Sequence, residues 1–179
     1  MLIRPQLRHL GIYVNDIERM ERFYSSVFGL AVSDRGVVAR LGNRPIVFLS
    51  AAPDAHHQLV LIGGRDPAAG PSVVNQISFQ LESLAELREI HARLKRAGVE
   101  TITPIDHGNA WSVYSADPEG NGLEAYVDSP WHVAQPHGRP LDLSKSDEEI
   151  RAATEVVVRK DATFLDRPQW IGEMKKRLG

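Results

Sequence analysis

An internal repeat with an offset of 67 residues constrains the fold of this 179-residue chain more than any other feature. Residues 9–20 (HLGIYVNDIERM) and residues 76–87 (QISFQLESLAEL) each read as a short apolar strand, a polar turn and the start of a helix. Residues 57–61 (HQLVL) and 124–127 (EAYV) are related by the same offset. Such repeats indicate a duplicated supersecondary unit. We therefore predict an α+β fold of two tandem βαβββ modules, which form a curved sheet around a central cavity.

The module boundaries follow from the repeat and from turn residues. We predict one domain over residues 1–179, with modules at 6–65 and 73–130 joined by the Gly/Pro/Ala-rich linker Gly63–Ser72. Residues 131–179 are a C-terminal extension with two predicted helices. The first opens with an acidic capping box at Ser146, and the second carries spaced apolar residues from about Pro168. We expect these helices to pack on the module surface or across the interface of a homo-oligomer.

Four repeat-equivalent positions carry the candidate chemistry. His9 and Gln76 hold the first-strand position of each module, and His57 and Glu124 hold the last-strand position. If the modules pair by pseudo-twofold symmetry, all four side chains face one cavity. Imidazole and carboxylate are good metal ligands. Glu124 lies within an apolar strand, where a carboxylate is costly unless it is paired, hydrogen-bonded or bound to metal. The alternative is a glutamate on an edge strand that faces water.

Further polar residues surround these positions. His56 and His57 are adjacent, so on a strand only one can face the cavity, and the repeat selects His57. His107 lies in a His-Gly-Asn turn that could aim its ring inward, although a loop histidine bonded to backbone is an equal alternative. Tyr114 is predicted on the strand that pairs with that of Glu124, where it is either a hydrogen-bond donor in the cavity or a core tyrosine.

Three segments carry a family resemblance: RHLGIYV around His9, FLSAAPDAHHQLVL around His57, and HGNAWSVYSADPEGNGLEAYVDSPWHV from His107. With them, the chain resembles the vicinal oxygen chelate (glyoxalase/bleomycin resistance/dioxygenase) superfamily over about residues 6–145. Within it, the chain looks like the catalytic half of type I extradiol catechol and biphenyl-diol ring-cleavage dioxygenases. The doubled histidine, the HGN turn and the spacing from Tyr114 to Glu124 point to that branch.

The resemblance implies a metal-dependent enzyme that opens a catechol-like aromatic diol with dioxygen. It implies an acid–base role for His57 beside the oxygen, and substrate-side roles for His107 and Tyr114. It also implies that Trp131 and His132 line the mouth of the substrate cavity, with packing on the module surface as the alternative. The implied metal ligands are His9, Gln76 and Glu124, and the implied metal is Fe(II).

Gln76 departs from the resembled pattern, which has histidine at this position. An amide oxygen is a harder and weaker donor than imidazole, although some glyoxalases of the superfamily use glutamine as a ligand. Three possibilities stay open: iron bound more weakly, a harder divalent metal such as Mn(II) or Mg(II), or no metal. The corresponding functions are a ring-cleavage dioxygenase, a glyoxalase-, epimerase- or lyase-type proton-transfer enzyme, and a metal-free binder of an aromatic or antibiotic-like molecule.

Composition excludes other classes of function. The formal net charge of −2 provides no excess of positive charge to attract nucleic acid or an anionic membrane surface. The chain contains no cysteine, which removes disulfides, thiolate metal sites and cysteine nucleophiles. No signal-peptide pattern or run of 18 apolar residues occurs, so we expect a cytoplasmic protein. The resemblance implies that its partners are a small aromatic diol and dioxygen.

Overall fold

The computed structural model describes residues 3–66, 68–70 and 72–179, which fall into two compact units. The first unit extends to Val73 and also includes the turn Asp117–Asn121. The second unit comprises Val74–Ala116 and Gly122–Gly179. Pro67 and Pro71, which the sequence assigns to the linker, lie outside the described residues.

The first unit contains a four-stranded sheet in the order β1-β4-β3-β2. β1 is parallel to β4, whereas β3 is antiparallel to both β4 and β2. The elements are β1 (Leu10–Val14), α1 (Ile17–Phe28), β2 (Ala31–Val38), a 3-10 helix (Ala39–Leu41), β3 (Arg44–Ser50) and β4 (Leu59–Gly63).

The second unit repeats this order of elements and continues into the C-terminal extension. Its five-stranded sheet has the order β10-β6-β7-β8-β5, with β5 parallel to β8. The predicted duplication of a βαβββ module is thus confirmed. The elements are β5 (Ile77–Leu81), α2 (Leu84–Arg96), β6 (Thr103–Asp106), β7 (Ala110–Ala116), β8 (Gly122–Asp128), β9 (Trp131–His132), β10 (Arg139–Pro140), α3 (Asp147–Val158), β11 (Leu165–Asp166) and α4 (Arg167–Leu178).

Local sequence signals explain where the helices begin and which faces they bury. The Asp16 side chain accepts the backbone N–H of Arg19 at 2.9 Å and caps α1, which ends at Gly29 with a φ of 71°. Ser83 caps α2 in the same way. Both helices bury one apolar face. The buried residues are Met20, Phe23, Tyr24 and Val27 in α1, and Leu84, Leu87, Ile90 and Leu94 in α2.

β2 is irregular, and the prediction that His56 and His57 lie on a strand was wrong. β2 runs from Ala31 to Val38, and the next three residues form the 3-10 helix. β2 is largely exposed and has an irregular register after Val32, so it lacks the alternation of a half-buried strand. β4 begins at Leu59, so the two histidines at 56 and 57 lie in the preceding loop and their alternation on a strand does not apply.

The turn Asp117–Asn121 is held in the first unit by two carboxylates. The Tyr24 hydroxyl donates to Asp117 at 2.8 Å, and both residues are buried. Glu119 accepts the backbone N–H of Asn15 at 2.7 Å, just before α1. A buried carboxylate is tolerated when donors replace its lost water, which these contacts do. This turn joins β7 and β8, the strands that carry Tyr114 and Glu124.

The first C-terminal helix packs on the second unit through a buried polar contact. The indole N–H of Trp111 donates to the Thr154 hydroxyl at 2.8 Å, and that hydroxyl lies 2.9 Å from the Asp106 carboxylate. The capping box predicted at Ser146 is present. In contrast, α4 has no buried residue. Within the described residues, none of the helices combines the length and apolarity needed to span a membrane.

We expect Tyr24→Phe to lower the free energy of unfolding by about 1–3 kcal/mol, because the change removes a donor from the buried Asp117 carboxylate. Tyr13→Phe is the matched control, since Tyr13 is 46% exposed and its contact with Arg44 is made by the ring. Urea unfolding curves of the two variants measure the difference. If the two variants were equally stable, the hydrogen bond from Tyr24 to Asp117 would not stabilise the fold.

Candidate active site

The Glu124 carboxylate is the centre of a hydrogen-bonded cluster in the second unit. It is 9% exposed and lies on β8, opposite Tyr114 of β7 and Ser78 of β5. Its Oε2 accepts from Gln76 Nε2 at 2.8 Å and from the Ser78 hydroxyl at 2.7 Å. Its Oε1 accepts from the hydroxyls of Ser112 and Tyr114, each at 2.8 Å. Two side-chain donors therefore reach each oxygen.

This arrangement does not fit a metal ligand. An ionised carboxylate has about four lone-pair sites, and four donors already reach those of Glu124. Gln76 turns its amide nitrogen toward Glu124, whereas metal ligation by glutamine requires the oxygen. The second hydrogen of that amide is directed at Ser78, 3.0 Å away. Among the residues that the structure describes, no group of three or more His, Cys, Asp or Glu side chains is placed to hold a metal ion.

Tyr114 links Glu124 to His107. The Tyr114 hydroxyl lies 2.8 Å from Glu124 Oε1 and 2.9 Å from His107 Nε2. His107 Nδ1 lies 2.6 Å from the backbone carbonyl of His137. A carbonyl only accepts, so Nδ1 carries a hydrogen and donates it. The single hydroxyl hydrogen of Tyr114 goes either to Glu124 Oε1 or to Nε2 of a neutral His107, and in the second case three side-chain donors remain on Glu124. A proton added to Nε2 of His107 can pass to Glu124 through the Tyr114 hydroxyl, which receives one hydrogen and gives up another.

The environment holds Tyr114 in its neutral form. Burial, followed by the hydrogen bond to Glu124 and the charge of that carboxylate, raises the pKa of Tyr114 to about 12. Burial also raises the pKa of Tyr126, with further contributions from the charges of Asp128 and Glu124. Both phenols therefore act at neutral pH as hydrogen-bonding groups and not as phenolates.

A cavity of about 360 Å³ opens beside this chain in the second unit. Its volume suits a small molecule. The wall mixes aromatic rings with carboxylates and amides, and part of the Asp128 carboxylate is engaged by Gln80 at 2.6 Å and by Arg167 at 2.5 Å. The lining residues are Ser78, His107, Asn109, Ala110, Tyr114, Glu124, Tyr126, Asp128 and Gln135.

The first unit brings two predicted site residues together. The rings of His9 and His57 have centroids 4.4 Å apart. His56 is also close, with its Nδ1 2.9 Å from Nδ1 of His57. Partial desolvation lowers the pKa of His57, and the neighbouring His9 and His56 rings lower it further. A neutral imidazole is therefore favoured at position 57, which keeps a nitrogen lone pair for proton transfer.

Trp131 and His132 lie away from the cavity lining. Trp131 is buried, and its ring meets that of Trp111 edge to face with centroids 6.5 Å apart. His132 stacks on Trp170 of α4 with centroids 5.0 Å apart. Burial lowers the pKa of His132. The packing alternative describes both residues in this structure, and their role at the substrate mouth stays a prediction.

Sequence reasoning did not assign Ser78, Ser112, Tyr126 and Gln135 to the site, nor Asn109, Ala110 and Asp128 of the cavity wall. Ser78 follows Gln76 by two positions and Ser112 precedes Tyr114 by two, so strand alternation could have placed both hydroxyls beside Glu124. The same rule could have found Tyr126, because its equivalent orientation to Glu124 is visible in the sequence. Gln135 carries no such signal, because it lies in a loop of the C-terminal extension.

Comparisons with curated relatives agree with the predicted branch. The chain is 27% identical over 134 residues to biphenyl-2,3-diol 1,2-dioxygenase 3 of Rhodococcus globerulus. That match covers 72% of this chain and 66% of the relative, just under two thirds of its length. The chain is 26% identical over 175 residues to biphenyl-2,3-diol 1,2-dioxygenase 2 of the same organism, with 87% of each chain covered.

Solved structures support the fold. A glyoxylase/bleomycin resistance protein/dioxygenase domain from Frankia sp. EAN1pec matches with a TM-score of 0.60 and 20% identity, over 71% of this chain and 100% of that chain. The fosfomycin resistance protein FosX from Listeria monocytogenes, complexed with Mn(II) and sulfate, matches with a TM-score of 0.55 and 21% identity, over 71% of this chain and 95% of that chain. Sequence identities this low support a shared fold only, and not a shared function.

The family follows from the match of the chain itself. Residues 6–125, which include both repeats and Glu124, match one superfamily profile along their whole length. The duplicated βαβββ order of the two units agrees with that match. The chain belongs to the Glyoxalase/Bleomycin resistance protein/Dioxygenase superfamily.

Proposed function

We propose that this chain binds a catechol-like aromatic diol in the cavity of the second unit and removes a proton from one of its hydroxyl groups. The observation that carries the proposal is the hydrogen-bonded chain from His107 through Tyr114 to Glu124 along the cavity wall. The names of the two Rhodococcus globerulus relatives, both biphenyl-2,3-diol dioxygenases, support the choice of a diol.

His107 is the proton acceptor in this proposal. Its Nδ1 hydrogen is committed to the His137 carbonyl, so Nε2 carries the lone pair that a substrate hydroxyl or the Tyr114 hydroxyl can protonate. Tyr114 keeps its own proton near neutral pH and relays or donates a hydrogen bond. Glu124 holds the Tyr114 oxygen in place from the opposite side.

The remaining wall suits a flat molecule with two adjacent hydroxyls. Tyr126 offers an aromatic ring and Asn109 a side-chain amide at the cavity wall. Each hydroxyl of a bound diol that loses its water must gain a hydrogen-bond partner from the cavity wall. The roles of His9 and of His57 as an acid–base residue remain proposals that rest on the resemblance.

The four side-chain donors around the Glu124 carboxylate support the proposal of diol binding and proton transfer without a metal at Glu124. Extradiol ring cleavage, with Fe(II), Mn(II) or another divalent metal at His9, Gln76 and Glu124, is the second candidate. The activity named for the relatives favours it. It requires Gln76 to turn its amide oxygen inward and Glu124 to give up at least one donor.

Titration calorimetry with catechol and with 2,3-dihydroxybiphenyl, using protein freed of metal by a chelator, tests the first candidate. We expect binding, and we expect Tyr114→Phe to weaken it about tenfold or more, since a hydrogen bond to a charged partner contributes on the order of 1.5–3 kcal/mol. Tyr13→Phe, at an exposed tyrosine of the first unit, should bind like the parent.

An oxygen electrode separates the two candidates. Binding with no oxygen uptake after Fe(II) is added supports metal-free function. Oxygen uptake that requires added Fe(II) and the diol supports ring cleavage. If neither diol binds with or without Fe(II), the proposed substrate class is wrong.

Gln76→His should create a metal site or strengthen a weak one. The change removes the amide donor from Glu124 and supplies an imidazole nitrogen, which suits Fe(II) better than an amide oxygen. We expect Fe(II) or Co(II) affinity, measured anaerobically by calorimetry, to rise about tenfold or more.

Gln80→His is the matched control for this variant. Position 80 has the same strand parity on β5, but its side chain bonds to Asp128 instead of Glu124. The control should leave metal affinity unchanged. Equal affinities in the parent and in Gln76→His would show that position 76 does not govern metal binding.

A further inference from the structure

The turn that carries His107 is crowded by the C-terminal extension. His107 lies between β6 and β7, and Gly108 follows it with a φ of 74°. A Cβ atom at Gly108 would lie 2.7 Å from Val133 and 2.9 Å from Val158, so only glycine fits beneath these two side chains. The extension therefore rests directly on the turn.

Asp106 anchors the same turn from inside the unit. Its carboxylate is 3% exposed and accepts the backbone N–H of Gly108 at 2.8 Å. It also accepts from Arg139 of β10 at 2.7 Å and from Thr154 of α3 at 2.9 Å. Three separate parts of the chain thus meet at one buried carboxylate next to His107.

The side chain of Gln135 connects the C-terminal extension to the turn that carries His107 through hydrogen bonds. Its Nε2 donates to the backbone carbonyl of His107 at 2.9 Å, and lies 3.3 Å from both Asn109 Oδ1 and the Val133 carbonyl. Its Oε1 accepts the backbone N–H of His137 at 3.0 Å. The amide therefore joins residue 107 to residue 137, whose carbonyl receives the His107 ring.

We propose that the C-terminal extension sets the position and tautomer of His107, and that Gln135 is the positioning residue that holds the His137 carbonyl against Nδ1. The carbonyl keeps the hydrogen on Nδ1 and leaves Nε2 facing Tyr114 at 2.9 Å. Without the extension, nothing else in the described part of the chain bonds to Nδ1. Only the purpose of this arrangement, proton acceptance by His107, rests on the proposed function.

The tautomer is measurable without any activity. In full-length protein labelled with ¹⁵N-histidine, the shifts of the two ring nitrogens report which one carries hydrogen in the neutral ring. The chain has seven histidines, so the His107 signals are assigned by their loss in His107→Gln. We expect the parent to show a protonated Nδ1 and an unprotonated Nε2 at mildly alkaline pH. A protonated Nε2 with a bare Nδ1 would overturn the proposal.

Gln135→Ala tests the positioning residue. In this variant the hydrogen bonds from the Gln135 amide to the His107 carbonyl and from the His137 N–H to the amide oxygen are lost. We therefore expect the ¹⁵N shifts of the His107 ring to move toward the averaged values of two exchanging tautomers. Gln135→Glu keeps an acceptor for the His137 N–H but loses the three donor contacts, so it should shift the signals in the same direction. Gln169→Ala is the control, since Gln169 also accepts one backbone N–H in the extension but is far along the chain in α4. It should leave the His107 signals unchanged.

Diol titration of the same variants completes the test. If Gln135→Ala keeps the parental tautomer, Gln135 is not a positioning residue, even if diol affinity falls through a direct contact. If the tautomer shifts in Gln135→Ala but the parent binds no diol, the positioning inference stands and the proposed function fails. If the tautomer shifts and any turnover falls with KM little changed, both stand.

Discussion

The buried carboxylate of Glu124 is the constraint on which the candidate site depends. A lone ionised carboxylate inside a sheet would be costly. The second unit offsets that cost with four side-chain donors, three from the neighbouring strands β5 and β7 and one from Gln76 just before β5. The strand register makes this possible, because Tyr114 and Ser78 lie directly opposite Glu124 on its two neighbours. The Tyr114 hydroxyl extends this arrangement to His107.

Gln76 determines whether this cluster presents hydrogen-bond donors or metal-binding lone pairs next to Glu124. Imidazole or an amide oxygen at that position would offer a lone pair, but the amide nitrogen offers hydrogens to both Glu124 and Ser78. Such a donor set suits the proposed recognition of a diol through hydrogen bonds and proton transfer. Superfamily membership, which the match over residues 6–125 shows, is compatible with this use because one fold hosts many chemistries.

The repeat made the duplicated module predictable. The strands and helices within each module were predictable because strand alternation and helix caps are local properties of the sequence. It therefore placed Glu124 and Tyr114 correctly as partners on paired strands. The placement of His56 and His57 on a strand was wrong, because β4 begins at Leu59 and a loop obeys no strand alternation. The ring of His57 nevertheless lies beside that of His9. The contact of His107 with the His137 carbonyl could not be predicted, since it joins a turn to a loop 30 residues away. Packing of the extension, and not periodicity, creates that contact.

The most direct test of this account is the metal content of the protein after anaerobic incubation with Fe(II) and removal of free metal. A carboxylate whose lone pairs are engaged by four donors predicts iron well below one equivalent per chain, with Gln76→His retaining more. One equivalent of tightly held iron in the parent, lost on Glu124→Ala, would contradict the account, because Glu124 would then be a metal ligand and its hydrogen-bonded state a minor one.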